Sequence, residues 1–290
     1  MEYIETKYFK IKTIDDISVA LKTDIFFNDY LKELSELTSY IIDPSKENCI
    51  SYSINDGTIV GLFVKIVKCH NEIITAYLNK KGDVLMWLSR PLYEAFVLMR
   101  YLIVKGKYSQ RSYRLVSYRN RFRRLVECKM RNSGIDKVML TKFNDAIKVD
   151  GFSEIDFERE DSQPTGKKWK LDGKNFSEIH REVENPNIYS YVYGTLSEFI
   201  HGGWGEARQF NLTQCSEDKY IAKLEYYDNM EIRFITPTNS IVLEAAAEFL
   251  NWSEREDEVI ILKEHIRIDN LLNQYILNNY EINHEMYLNK

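Results

Sequence analysis

Two ionisable side chains interrupt the most apolar stretch of this chain. Arg90 and Glu94 stand four residues apart within Val84 to Val104, where a charge is costly to bury unless it is paired or put to use. A hundred residues later Tyr193, Ser197 and His201 recur at intervals of four, which on an α-helix puts a phenol, a hydroxyl and an imidazole on one face. Such groups suit a defined chemistry. A guanidinium binds phosphate or a developing oxyanion, a carboxylate four residues on fixes its fork, and an imidazole moves a proton near neutral pH. Ser197 is the weakest of the set: it lacks a Gly-x-Ser-x-Gly elbow, and a helical serine bonds back to the preceding turn. A plainer alternative stays open, in which Arg90 and Glu94 are an ion pair tying buried helices together and His201 caps a helix end.

A second concentration of chemistry lies between Lys105 and Arg131. It holds ten basic residues against one acid, Glu127, so this segment carries +9 and leaves −14 for the rest of a chain whose net charge is −5. A patch of that density can hold phosphate on an acidic protein, because the relevant field lies within about 10 Å. Arg111, Arg114, Arg121 and Arg124 are the candidate nucleic-acid contacts, with Tyr108, Tyr113 and Tyr118 interleaved as stacking surfaces. Arg119 falls between Leu115, Phe122 and Val126 on the helical wheel and is predicted to point inward. The competing reading is a solvated helix face. Trp169 and Trp204 read most simply as core or interface aromatics. Gly202-Gly203-Trp204-Gly205 follows a helix, whereas a phosphate-binding loop precedes one.

Helices must position these groups. Apolar spacing of three and four predicts helices over Asp24 to Ile42, from Asn55 or Thr58 to Asn79 with Gly82 as its stop, over Asp83 to Lys105, and over Ser109 to Asn132. The third is apolar nearly all round, the mark of a central buried element, and Pro91 predicts a kink in it. Gly134 to Asp172 is weakly periodic. Helicity resumes over Asn175 to Glu184 and from Pro186 to His201, where Gly202-Gly203 supplies a stop. A hairpin pairing Tyr220 to Tyr226 with Met230 to Ile235 is predicted next, then helices over Ser240 to Leu250 and Asp257 to Asn278. The expectation is one mostly helical domain spanning 1–290.

Composition removes several classes. Val84 to Val104 carries Arg90, Glu94 and Arg100, against a membrane span. No basic segment leads into an apolar one at Met1 to Lys12, so a cytoplasmic protein is expected. Cys49, Cys69, Cys128 and Cys215 are dispersed without a CxxC pair, which disfavours zinc and disulfides, and no metal or cofactor is assigned.

Arg90-Pro91-Leu92-Tyr93-Glu94, followed after a Trp-containing segment at Lys167 to Glu182 by Tyr193-Gly-Thr-Leu-Ser197-Glu-Phe-Ile-His201, resembles an uncharacterised bacterial family of HEPN-like helical proteins. The likeness covers about Thr58 to Arg208. It implies a helical bundle, a homodimer whose sites face a shared cleft, and, in many members, metal-independent ribonuclease activity in toxin and anti-phage systems. Catalytic members carry Arg four to six residues before His on one helix, and none of the five histidines here has that arginine. Arg90 would have to replace it from another helix. Two functions therefore stay open: an RNA-binding protein or endoribonuclease using Arg90, Glu94, Tyr193, Ser197 and His201, and a non-catalytic module that binds a partner protein or a nucleotide. The modest support for a dimer in the residues themselves is that Tyr101, Tyr113 and Tyr191 fall outside the apolar stripes.

Overall fold

The computed structural model describes residues 10–42, 50–131, 134–153, 155–157, 169–198, 200–201, 203–217 and 219–288, with only the backbone at 24, 120–131, 190–191, 195, 198, 256–258, 261 and 280–288. The fold is mainly α. The helices are α1 (Ile14–Ala20), α2 (Asp24–Ile42), α3 (Asp56–Leu78), α4 (Gly82–Lys105), α5 (Lys107–Arg131), α6 (Gly134–Val149), α7 (Phe176–Val183), α8 (Ile232–Trp252) and α9 (Glu256–Leu288), with short helical turns between Tyr189 and Asn211. Among the described residues no helix is long and apolar enough to cross a membrane. The chain divides into two compact units, the first comprising Met1–Ile50, Leu62–Phe96 and Asn187–Lys290, the second Ser51–Gly61 and Val97–Pro186.

In the first unit, α2 buries Phe27, Tyr30, Leu31, Leu34 and Ile41, and α3 buries Leu62, Phe63, Ile66, Val67, Ile73 and Ile74. Lys65, Lys68 and Glu72 face water, as the spacing predicts. α8 packs along α9 and against α2, and its Phe249 stacks on Phe63 with ring centres 4.3 Å apart. His70 is wholly buried, with Asn239 Oδ1 2.8 Å from its Nε2 and no partner for its Nδ1 among the described residues. Gly82 does not end α3. That helix stops at Leu78, Lys80 takes the left-handed turn (φ 55°), and Gly82 is the first residue of α4. Its N–H donates to the Tyr227 carbonyl at 2.8 Å, and a Cβ there would lie 2.8 Å from that oxygen. Glycine is required by this backbone approach.

The hairpin lies elsewhere than predicted. β1 (Leu212–Ser216) pairs antiparallel with β2 (Lys219–Ala222), Leu212 opposite Ala222 and Gln214 opposite Tyr220. The predicted second strand, Met230 to Ile235, instead runs into α8, which starts at Ile232. Ile235, Thr238 and Asn239 are buried there in helical register with Val242 and Leu243, and packing overrides local preference.

In the second unit α5 packs on α6, and Leu115, Phe143, Ile147, Phe152 and Phe157 form a core with Tyr118 and Leu140 at its edge. α6 occupies part of the segment expected to be irregular. Gly106, at φ 74°, separates α4 from α5 in the left-handed region. α7 starts with a capping box, Asn175 accepting from the Glu178 N–H and Glu178 from that of Asn175. Asp172 accepts from Ser109 Oγ at 2.5 Å and from Tyr101 OH at 3.1 Å. Arg119 is buried, as its wheel position predicts.

Candidate functional site

The first unit brings four of the predicted residues into one hydrogen-bonded cluster. α4 runs through Pro91 as a helix, and the i, i+4 spacing closes Arg90 Nε on Glu94 Oε1 at 3.0 Å. From the other segment, Tyr193 OH accepts from Arg90 Nη2 at 2.7 Å and donates to the same Glu94 oxygen at 3.0 Å. His201 Nε2 stands 2.9 Å from Arg90 Nη1. The guanidinium also lies 4.6 Å from the centre of the Tyr193 ring, close enough for cation–π attraction. Arg90 keeps 14% of its side chain exposed and Glu94 32%; His201 is exposed. The cluster is open to solvent on the histidine side.

The segment that supplies Tyr193 and His201 is not the regular α-helix its spacing predicts. Tyr189–Gly194 is a π-helical turn that runs into one α-turn, Thr195–Glu198. π-turns gather at functional sites because they offset side chains from the α-helical register. Here the Tyr189 and Tyr193 rings stack at 4.9 Å. Past the turn the four-residue spacing returns, with the His201 N–H donating to the Ser197 carbonyl at 3.2 Å. Ser197 itself stays out of the cluster. Its hydroxyl donates to the Tyr193 carbonyl at 2.6 Å, the back-bonding usual for a helical serine.

The electrostatics fix the protonation of the cluster. Burial works against the Arg90 charge, but Glu94 and Tyr193 outweigh it and hold its pKa above the ordinary value. Burial, with the Glu94 carboxylate beside it, pushes the Tyr193 phenol up to about 12, so it remains a proton donor at neutral pH. Arginine has donors only, so His201 Nε2 must accept. The histidine is then the neutral tautomer with its proton on Nδ1. Arg90 offers five N–H groups; two have no partner among the described residues.

The basic segment belongs to the second unit and is less free than its charge suggests. Arg111 lies 3.3 Å from Asp156 and over the Phe152 ring at 4.9 Å. Arg114 donates to the Asp150 carbonyl at 2.8 Å and to Asn55 Oδ1 at 2.9 Å. The side chains of Arg121 and Arg124 lie outside the described residues. Tyr108 is 80% exposed, whereas Tyr118 meets Phe143 edge-on, so of these two the first is the free stacking surface. Tyr113, Arg114, Ser117, Tyr118 and Asp150 line a recess of about 240 Å³.

Aromatic assignments change in two places. Trp204 is 62% exposed, its ring edge-on to Tyr220 at 5.6 Å, and is not a core residue. Tyr101 is buried, with its hydroxyl on Asp172, and lends no surface to a subunit interface. The Tyr191 side chain lies outside the described residues. Sequence reasoning also passed over Trp87, which is 40% exposed one helical turn before Arg90; its i, i+3 spacing was the available signal.

The chain belongs to the Family of unknown function (DUF5677), whose model matches residues 56–220. That span includes the Arg90, Glu94, Tyr193 and His201 cluster and all of α5, and leaves α8 and α9 outside it. No curated protein and no solved structure matches the chain.

Proposed function

We propose that this protein is a HEPN-like RNA-binding protein that acts as a metal-independent endoribonuclease of the bacterial toxin or anti-phage type. One observation carries the reading: Arg90, on a helix that holds no histidine, reaches the exposed His201 at 2.9 Å, which supplies the Arg–His pairing the sequence lacks at its usual spacing. A 2′-hydroxyl attacks the adjacent phosphorus, and the 5′-oxygen leaves as a 2′,3′-cyclic phosphate forms. His201 takes the 2′-hydroxyl proton at Nε2. That nitrogen must first release Arg90, and an arriving phosphate provides the replacement acceptor for the Nη1 proton. Arg90 then stabilises the charge that develops on phosphorus oxygens, with Glu94 and Tyr193 holding its plane. Tyr193 is the proton donor beside that pair for the departing oxygen. Each such role contributes roughly 10²- to 10⁴-fold in rate. The basic helix α5 retains the RNA backbone, and two subunits pair as the resemblance implies.

Incubating the purified protein with total RNA in the presence of EDTA tests the reading. Cleavage that disappears in His201→Ala is expected; absence of cleavage at high protein concentration, or cleavage unchanged in that variant, removes the enzyme. One observation favours the non-catalytic module instead: three of the Arg90 donors are already taken by Glu94, Tyr193 and His201, as in a specificity network for a partner protein or a nucleotide.

A further inference from the structure

The geometry points to Trp87 as a nucleobase platform: the site takes an unpaired RNA segment, one base stacked on the Trp87 indole while a neighbouring phosphate meets Arg90. This rests on the nuclease reading and adds its substrate class.

Trp87 is the anomaly of α4. The helix buries Leu85, Leu92, Ala95 and Phe96, yet its tryptophan is 40% exposed, although indoles are on average highly buried. At 100° per residue it lies about 60° from Arg90 and about 20° from Glu94 around the helix, and residues three apart on a helix have Cβ atoms about 5–6 Å apart. The two side chains therefore leave α4 on the same side of the helix. Among the described residues no aromatic ring stacks on the indole and its N–H has no hydrogen-bond partner, and 40% of the residue is left to solvent. A second exposed indole, Trp204, follows His201 within three residues, no more than about 11 Å of chain.

An exposed π-surface beside a cationic phosphate site is the combination that binds single strands, since every base has a face to stack and every nucleotide a phosphate. A duplex cannot use it. Its bases are stacked and paired, and its ribose is held in A-form geometry, away from the in-line approach of a 2′-hydroxyl. A protein partner could also cover an indole, but it would leave the two spare N–H groups of Arg90 without the phosphate they fit.

A fluorescent 2′-O-methyl RNA, which lacks the attacking hydroxyl and cannot be cleaved by this route, separates binding from chemistry. Its anisotropy is measured as single strand and as duplex with wild type, Trp87→Leu and Trp87→Phe, and cleavage of the unmodified strand is followed in parallel. Leucine keeps apolar bulk without a π-face, and phenylalanine keeps the face, so the pair controls for folding. The expected result is tight single-strand binding that weakens about 10- to 100-fold in Trp87→Leu, is restored in Trp87→Phe, and is absent for the duplex. Equal single-strand binding by wild type and Trp87→Leu overturns the platform, as does wild-type binding of neither strand or of both alike. Trp87-dependent binding without cleavage of the unmodified strand would sink the nuclease and keep the platform; cleavage indifferent to Trp87 does the reverse.

Discussion

Arg90 Nη1 and His201 Nε2, 111 residues apart in sequence, lie 2.9 Å from each other, and because arginine cannot accept a hydrogen bond the pair dictates the histidine tautomer. In the resting protein the ¹⁵N spectrum of His201 is expected to show a protonated Nδ1 and an unprotonated Nε2. Thiophosphate or phosphate titrated into the sample should move the Nε2 resonance as Arg90 turns to the anion. A protonated Nε2 without ligand would mean that Arg90 does not hold this nitrogen, and the mechanism would lose its gate.

Glu94 gathers Arg90 Nε and the Tyr193 hydroxyl on one oxygen, so removing it releases both partners at once. Breaking a fully buried pair costs roughly 3–5 kcal/mol, but Glu94 is a third exposed and water can replace part of that interaction. The expected cost of Glu94→Ala is about 1–3 kcal/mol by chemical denaturation. RNA cleavage should fall by about 10²-fold, more than the stability change explains. A variant that melts normally and cleaves normally would make the carboxylate dispensable. A normal melt with abolished cleavage would exclude the purely structural network.

Two buried groups outside the site oppose each other in pH. Burial pushes Asp269 up to about 7 against the hydrogen bonds it receives from Ser240 and Asn273, whereas the unfolded carboxyl titrates near 3.8. The native state then holds a proton that the unfolded chain has released, so this stability is present near pH 4 and is lost as pH rises through 7. His70 runs the other way. Burial lowers it to about 4 against its bond to Asn239, so the unfolded chain binds the proton first and stability is lost as pH falls below 6.5. Each group is worth about 3–4 kcal/mol over its window, and the two nearly cancel between pH 5 and 8. Asp269→Asn should leave the His70 slope exposed, giving a urea midpoint clearly higher at pH 8 than at pH 5. Parallel pH dependence in variant and wild type would show that the carboxyl titrates normally.

Much of the architecture is legible where burial follows one period. α2 and α3 match their predicted ranges within a residue or two because Leu31, Leu34, Leu62 and Ile66 mark a single inward stripe. α6 escaped because Ile135, Val138 and Met139 are exposed while Phe143 and Ile147 are buried, and apolar residues on both faces blur the period. The site was half visible. Costly charges in an apolar run nominate Arg90 and Glu94, and regular spacing nominates Tyr193 and His201. Their meeting depends on tertiary packing and on a π-turn, and neither leaves a periodic signature. Of the two readings open for Trp204, core and interface, its exposure removes the first, which aromatic content could not do because it says nothing of direction where no regular helix sets the face.

The basic helix separates into arginines held by the protein and arginines whose role only binding can show. Arg114 supports the Asp150 carbonyl and Asn55 and lies over Phe152, so Arg114→Gln should lower the melting temperature as well as RNA affinity, its missing packing acting with its missing charge. Arg121→Gln with Arg124→Gln should leave melting unchanged and weaken binding alike across sequences. The slope of log K against log salt should become shallower by about 0.7 for each phosphate of a single strand that is no longer neutralised. The slope is the decisive reading, because affinity alone also falls when a fold is disturbed. If the double variant binds with an unchanged slope, Arg121 and Arg124 touch no phosphate and α5 serves the second unit as a solvated helix.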